Sequence, residues 1–163
     1  LATQSFADGQ AVQAFAQARS QAQAPGTVRS LADIDRVFAL PTVQAIIDTL
    51  EADGSEWAQS TAAALRKRSP LMLHVVLEQI RRARGMDVAS DLRMERDMVR
   101  HCFYLRPGQS ETVEGVRALA VDKDHNPQWN PPRIEEVSEA LWRAFFVSPW
   151  PAHSHPLAML KDA

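Results

Sequence analysis

The stretch SPLMLHVVLEQIRRARGMDVASDLRMERDMVRHCFYL, residues 69–105, decides the fold class. Ser69-Pro70 is a helix start: a hydroxyl to cap, then proline at the first helical position, where its missing N–H costs nothing. Leu71, Leu73, Val75, Val76, Leu77 and Ile80 then cover a wide arc of one helix running to Arg84, which predicts packing on more than one side. Gly85 ends it. The spacing predicts a second, longer helix over Val88 to Leu105, with Leu92, Met98, Val99, Cys102 and Phe103 facing inward. Neither segment alternates as a half-buried strand would.

The same reading extends in both directions. Upstream, Ser55 opens a helix carrying Trp57, Thr61, Ala64 and Leu65. Pro41 fits the first turn of another with Val43, Ile46, Ile47 and Leu50, closed by Gly54 in a left-handed conformation. Ser30 caps a short helix bearing Leu31, Ile34, Val37 and Phe38, with Asp33 near its positive end. Before that, Asp8 to Gln23 is an Ala- and Gln-rich helix anchored weakly by Val12 and Phe15, ended by Pro25-Gly26. Downstream, Arg106-Pro107-Gly108 breaks the chain and Ser110 caps a helix with Val113, Val116 and Ala120. Three prolines and one tryptophan make 124–132 an irregular linker. A last helix is expected over Arg133 to Val147, using Ile134, Val137, Leu141 and Phe145. Pro149, Pro151 and Pro156 keep the tail out of regular secondary structure. The expected fold is therefore all-α, an irregular bundle of about seven or eight helices with a Pro/Trp-rich C-terminal tail. Its parts are a helix and linker over 1–29, a helical core over 30–132, and a terminal helix and tail over 133–163.

Composition narrows the function classes. The chain has 163 residues, 45% of them apolar, and a formal charge of −2. That gives no global pull toward nucleic acid or anionic lipid. No apolar run is long enough to span a membrane, and the start lacks the basic and apolar regions of a signal peptide. The first residue, Leu1, is compatible with a trimmed chain. Cys102 is the single cysteine, which suits a reducing compartment, and a cytoplasmic location is expected.

Few residues suggest chemistry. Asp122, Asp124 and Asn126 imitate the start of a calcium loop, but Pro127 replaces the required glycine and Arg133 the bidentate glutamate. His153 and His155 lie in the Pro-rich tail and read as solvated, so no metal is expected. His101 and Cys102, neighbours on a helix, do not face each other, and Cys102 reads as a core residue. Arg66, Lys67 and Arg68, then Arg81, Arg82 and Arg84, sit where helix dipoles favour cations. Glu95 falls on or beside the buried stripe. An ion pair with Arg117 is expected to satisfy it, and a wet edge is the alternative. Gly115 interrupts a helical segment at a cost of roughly 1 kcal/mol, which suggests close packing against it. No catalytic residue and no cofactor are expected.

Three stretches in order resemble a known family. They are Gly54-Ser55-Glu56-Trp57-Ala58 leading to Ser69-Pro70, then Leu92-Arg93-Met94-Glu95, then Glu114-Gly115-Val116-Arg117-Ala118 with Asp122-Lys123-Asp124, Pro127, Trp129 and Pro131. Together they are similar to the C-terminal region of the 3-hydroxyisobutyryl-CoA hydrolase family, a branch of the enoyl-CoA hydratase/isomerase (crotonase) superfamily active in valine breakdown. The resemblance implies that this helical part caps an N-terminal crotonase core of the same protein. In the family that core supplies two backbone N–H groups to the thioester oxyanion, and acyl-CoA is bound through the parent protein. It further implies self-association, a CoA-proximal position for Lys123, and a packing role for Gly115 and Trp129. The 163 residues alone are expected to be inactive. Trp57, Trp142 and Phe103 are expected to form an apolar surface that the core covers. A hydratase or isomerase parent is one alternative, and a stand-alone helical module for oligomerisation or protein binding is another.

Overall fold

The computed structural model describes residues 30–161. The helix expected over Asp8 to Gln23 and its Pro25-Gly26 end lie outside the described residues. The chain divides into two units between Asp35 and Arg36, and the account below concerns the second, apart from the first turn of α1.

Helix α1 spans Leu31–Phe38, with the Ser30 hydroxyl accepting from the Asp33 N–H at 3.2 Å. Helix α2 spans Val43–Ala52 and is capped by Thr42, so Pro41 stands just outside the helix rather than in its first turn. Gly54 also departs from expectation. Asp53 closes α2 in an extended conformation, and no left-handed glycine is needed there. Helix α3, Glu56–Arg66, and helix α4, Pro70–Ala83, begin at the Ser55 and Ser69 caps. Helix α5, Val88–Tyr104, is capped by Asp87, and helix α6, Glu111–Val116, by Ser110. Each cap oxygen takes an N–H that the first turn leaves without a partner. After α6 the chain widens into one π-type turn, Arg117–Val121.

The long last helix does not form. The segment is a 3-10 turn at Ile134–Glu136, helix α7 at Glu139–Arg143, and a second 3-10 turn at Ala144–Phe146. Val137 and Ser138 between them are extended. The pieces enter different clusters. Ile134 is buried with Val43 and Ile47, whereas Phe145 is buried with Leu71, Val75, Met94 and Met98. A third cluster joins Val37, Ile46, Leu50, Ala58 and Ala62. Helix α4 lies between clusters: Leu71 and Val75 enter one, and Leu73 and Leu77 pack on another. Val76 and Ile80 remain exposed.

Helix α5 buries only part of the expected stripe: Met98 and Cys102 pack inward, and Leu92, Val99 and Phe103 do not. Met94, Asp97, Met98 and His101 are buried, while Leu92, Val99 and Phe103 are exposed. The C-terminal tail accounts for this. His101 Nε2 lies 2.7 Å from the Val147 carbonyl. The Leu157 N–H donates to His155 Nδ1 at 3.0 Å, so His155 carries its proton on Nε2 and donates to Asp97 at 3.0 Å. Arg93 donates to the Leu157 and Leu160 carbonyls, and Arg96 and Arg100 lie over the Trp150 ring. His155, expected in solvent, is thus buried, and the tail contains one short 3-10 turn at Ala152–Ser154. The expected Trp57–Trp142–Phe103 surface also dissolves. Trp57 and Trp142 are half-buried against internal clusters, and Phe103 alone of the three is exposed.

Candidate functional site

The densest polar constellation among the described residues is centred on Arg117. The π-type turn folds its guanidinium back over the loop that follows. Arg117 Nε and Nη2 grip Glu114 at 2.9 and 2.8 Å, the two-point geometry in which arginine and carboxylate bind best. Its Nη1 donates to Asp122 and Asp124, each at 2.7 Å, and Nη2 reaches the Asn126 carbonyl at 3.2 Å. The Gln128 N–H donates to Glu114 at 2.6 Å and the Asn126 N–H to Asp124 at 2.8 Å. This clamp holds Lys123 and His125 with φ of 57° and 54°, a left-handed conformation costing about 1–2 kcal/mol per residue.

The expected pair between Glu95 and Arg117 is not formed. Arg117 is satisfied by its own loop, within nine residues of itself, and Glu95 accepts instead from Gln79 Nε2 at 3.2 Å. The calcium-like acids are likewise engaged by Arg117. Among the described residues no group of three or more His, Cys, Asp or Glu side chains is placed to hold a metal ion.

Arg117 also holds the carboxyls of Glu114 and Asp124 below the usual carboxylate range. The causes are its side-chain hydrogen bonds first, then the Gln128 and Asn126 N–H groups. Groups with depressed pKa values stabilise the fold above their unfolded pKa, about 4. They lose that contribution as pH falls through the folded values. The loop is therefore expected to be held at pH 6 and released on acidification below about pH 4. Hydrogen exchange of the Asn126 and Gln128 amides measures this directly. Equal protection at pH 6 and pH 3 would contradict it.

Beside this loop lies a largely apolar cavity of about 610 Å³, whose walls include Met72, Val116, Leu119 and Trp129, with Lys67, Arg68 and His125 as its basic groups. Trp129 donates its indole N–H to the Lys67 carbonyl at 3.3 Å. A Cβ on Gly115 would stand 3.4 Å from Trp129 Cη2, so the interior glycine meets this ring. Lys123 is exposed, and its flanking acids are both turned toward Arg117.

At one wall Glu111 is buried. It accepts from the Ser69 hydroxyl at 2.5 Å and from the Asn130 N–H at 3.0 Å, with Arg106 at 3.6 Å. Ser69 Oγ simultaneously accepts from the Met72 N–H, so this hydroxyl is a structural link. Sequence reading missed Glu111 and His125 here, and took Lys67 and Arg68 only as helix-end cations. Glu111 had one local signal, an acid in the first turn after a serine cap, but nothing local shows that it faces Ser69, 42 residues away. The basic clusters dissolve in space. Arg66 pairs with Glu51 and Glu135, Arg81 donates to the Leu40 and Pro41 carbonyls, and Arg82 pairs with Glu78. Cys102 is half-buried against the Leu71 cluster. No helix among the described residues is long and apolar enough to cross a membrane.

Comparison with known proteins matches residues 1–146 to the profile of the enoyl-CoA hydratase/isomerase family. A Dictyostelium discoideum protein named 3-hydroxyisobutyryl-CoA hydrolase, mitochondrial, is 40% identical over 119 residues, 72% of this chain and 30% of the relative. The Arabidopsis thaliana 3-hydroxyisobutyryl-CoA hydrolase 1 is 38% identical over 123 residues, 72% of this chain and 32% of the relative. The chain thus spans less than a third of either relative. In structure it resembles an enoyl-CoA hydratase from Rhodobacter sphaeroides, with a TM-score of 0.65 and 26% identity over 85% of this chain and 42% of that one.

Two expectations are corrected here. The described residues contain helices and no strand, but all-α is not the fold class. These helices match less than half of an enoyl-CoA hydratase structure, so they are part of that fold. Helical periodicity is local and carries no information about layers outside the segment. The cytoplasmic location is overturned as well, because the relatives from Dictyostelium discoideum, Xenopus tropicalis and Danio rerio are all named mitochondrial. A single cysteine suits any reducing compartment and does not single out the cytosol.

Proposed function

The chain belongs to the enoyl-CoA hydratase/isomerase family, and we propose that it is the C-terminal helical part of an acyl-CoA thioester hydrolase acting on 3-hydroxyisobutyryl-CoA or a close β-hydroxyacyl-CoA. The observation that carries this reading is the 40% identity to a hydrolase of that name, over a stretch amounting to 30% of its length. In this reading the catalytic groups lie in a preceding crotonase core, and these helices cap it. The described geometry fits such a role. Ser69 is bonded to a buried carboxylate and a backbone N–H, and Cys102 packs in a core with the adjacent His101 directed to a carbonyl. Neither is arranged as an activated nucleophile with its base.

Lys123 is assigned to the CoA side of the site. Because Arg117 engages Asp122 and Asp124, the ammonium is not neutralised by its neighbours and remains available to a phosphate group. Lys67 and Arg68 at the cavity give the same region two further cations. Hydration of an enoyl-CoA is the second reading, supported by the likeness to an enoyl-CoA hydratase.

The test is release of free CoA thiol from 3-hydroxyisobutyryl-CoA. The 163-residue chain is expected to show none, and a protein joining it to a preceding crotonase core is expected to turn over. There, Lys123→Ala is expected to raise KM about twofold to fivefold with kcat little changed, the scale of one exposed charge contact. Turnover by the chain alone would sink the capping role. Hydration of an enoyl-CoA without thiol release would favour the second reading.

A further inference from the structure

Part of the apolar stripe that helical spacing marks on α5 is left uncovered, although its Met98 and Cys102 pack inward. Val88, Leu92, Val99 and Phe103 are 76%, 40%, 54% and 48% exposed. At about 100° per residue they share one quadrant of the helix, and Glu95 falls at its edge. Helix α4, which shares a buried cluster with α5 and whose Gln79 donates to Glu95, carries two further exposed apolar residues, Val76 and Ile80. The other side of α5 is already covered: Met94 and Met98 by Phe145 and its neighbours, Asp97 by His155. Exposed apolar residues grouped on adjoining helices mark a contact surface rather than scattered surface residues.

The lengths point to what covers it. The chain amounts to 30% of the Dictyostelium discoideum relative and 42% of the Rhodobacter sphaeroides structure, so those proteins carry more chain outside this segment than within it. Glu95 adds a chemical condition. One of its oxygens accepts from Gln79, and no cation is paired with it among the described residues. Covering the face would desolvate this carboxylate, and an unpaired buried charge is expensive. The covering surface must therefore bring a donor to Glu95.

We propose that the face made by Val76, Ile80, Leu92, Val99 and Phe103 seats the remainder of a protein of the relatives' length. The surface it receives is apolar, with one cationic or N–H donor group set against Glu95. This rests on the reading that the chain is one part of a larger hydrolase, and goes beyond it by naming the face and the chemistry of its cover.

Hydroxyl-radical footprinting tests it on the 163-residue chain and on the same chain grafted in place of the matching segment of the Dictyostelium discoideum hydrolase. Labelling of Leu92, Val99 and Phe103 is expected in the chain and lost in the graft, while Val147 and Met159 stay labelled in both. Persistent labelling of the three in a folded graft overturns the inference. A second measurement needs only the chain. The double substitution Leu92→Glu/Val99→Glu is expected to abolish binding of a hydrophobic dye without changing the helical circular dichroism. Unchanged dye binding overturns the inference, as does a chain dimer that this substitution dissociates, which would assign the face to a second copy. For the donor, Glu95→Leu is expected to lower the melting temperature of the graft more than Glu95→Gln does, and neither to matter in the chain alone. Equal, neutral substitutions in the graft remove the donor from the proposal. Thiol release by a graft whose face stays labelled would sink this inference and spare the hydrolase reading, and a protected face without thiol release would do the reverse.

Discussion

Glu111→Ala is expected to destabilise the chain by about 3 kcal/mol, the low end of the cost of breaking a buried charged pair. Glu111 is 6% exposed and ties three segments: Ser69 before α4, Asn130 in the linker and Arg106 between α5 and α6. Removing the carboxylate leaves the Ser69 hydroxyl and the Asn130 N–H without their acceptor. It also leaves the Arg106 side chain, 15% exposed, without its counter-charge. Part of the loss is recoverable, because Glu111→Gln retains an acceptor for Ser69 or Asn130. It is expected to cost about half as much, near the value of one hydrogen bond to a charged group. Thermal unfolding followed by circular dichroism reads both. For a chain of this size the alanine variant is expected to melt roughly 6–12 °C lower. A shift within 1 °C of the parent would show that Glu111 is a bystander.

Asp97→Ala is expected to cost about 2 kcal/mol, the penalty for leaving a buried donor without its acceptor. His155 Nε2 would keep its proton, since Nδ1 still receives the Leu157 N–H, and would have nothing to donate to. The loss concerns the tail specifically, so its signature is local. Trp150, edge-on to the His155 ring at 5.3 Å, is expected to become solvent-exposed, and proteolysis between 148 and 160 is expected to accelerate ahead of global unfolding. Asp97→Asn keeps an acceptor oxygen and is expected to behave close to the parent. If the alanine variant resists tail proteolysis as well as the parent does, the contacts of Arg93, Arg96, Arg100 and His101 hold the tail without Asp97.

The local code of this chain was legible at its caps. Ser55, Ser69 and Ser110 each accept the N–H three residues on, as a hydroxyl before a helical run should. Helices α3, α4 and α6 start where those signals place them, and α5 starts at Val88 as its spacing predicts, capped by Asp87, which the sequence reading did not name. The motif that carried the family resemblance, Glu114 to Trp129, also proved to be one physical object, the Arg117 clamp with Trp129 against Gly115. Its partners lie within fourteen residues of each other, so they meet as soon as α6 and its π-type turn form.

What local spacing could not determine is which side of a helix is covered. On α5 the apolar Leu92, Val99 and Phe103 stay exposed, whereas Asp97 and His101 are buried beside Met94 and Met98. Their partners, His155 and the Val147 carbonyl, lie 58 and 46 residues away. The same holds for the Arg133 to Val147 segment, which is broken, with Ile134 and Phe145 in different clusters. Cap chemistry and helical period act over three or four residues, so the sequence determined where helices begin and that the chain is helical here. Burial depends on which distant surface arrives, and only the tertiary structure decided that Arg117 closes on its own loop, that Glu111 meets Ser69, and that part of the apolar stripe of α5 is left open.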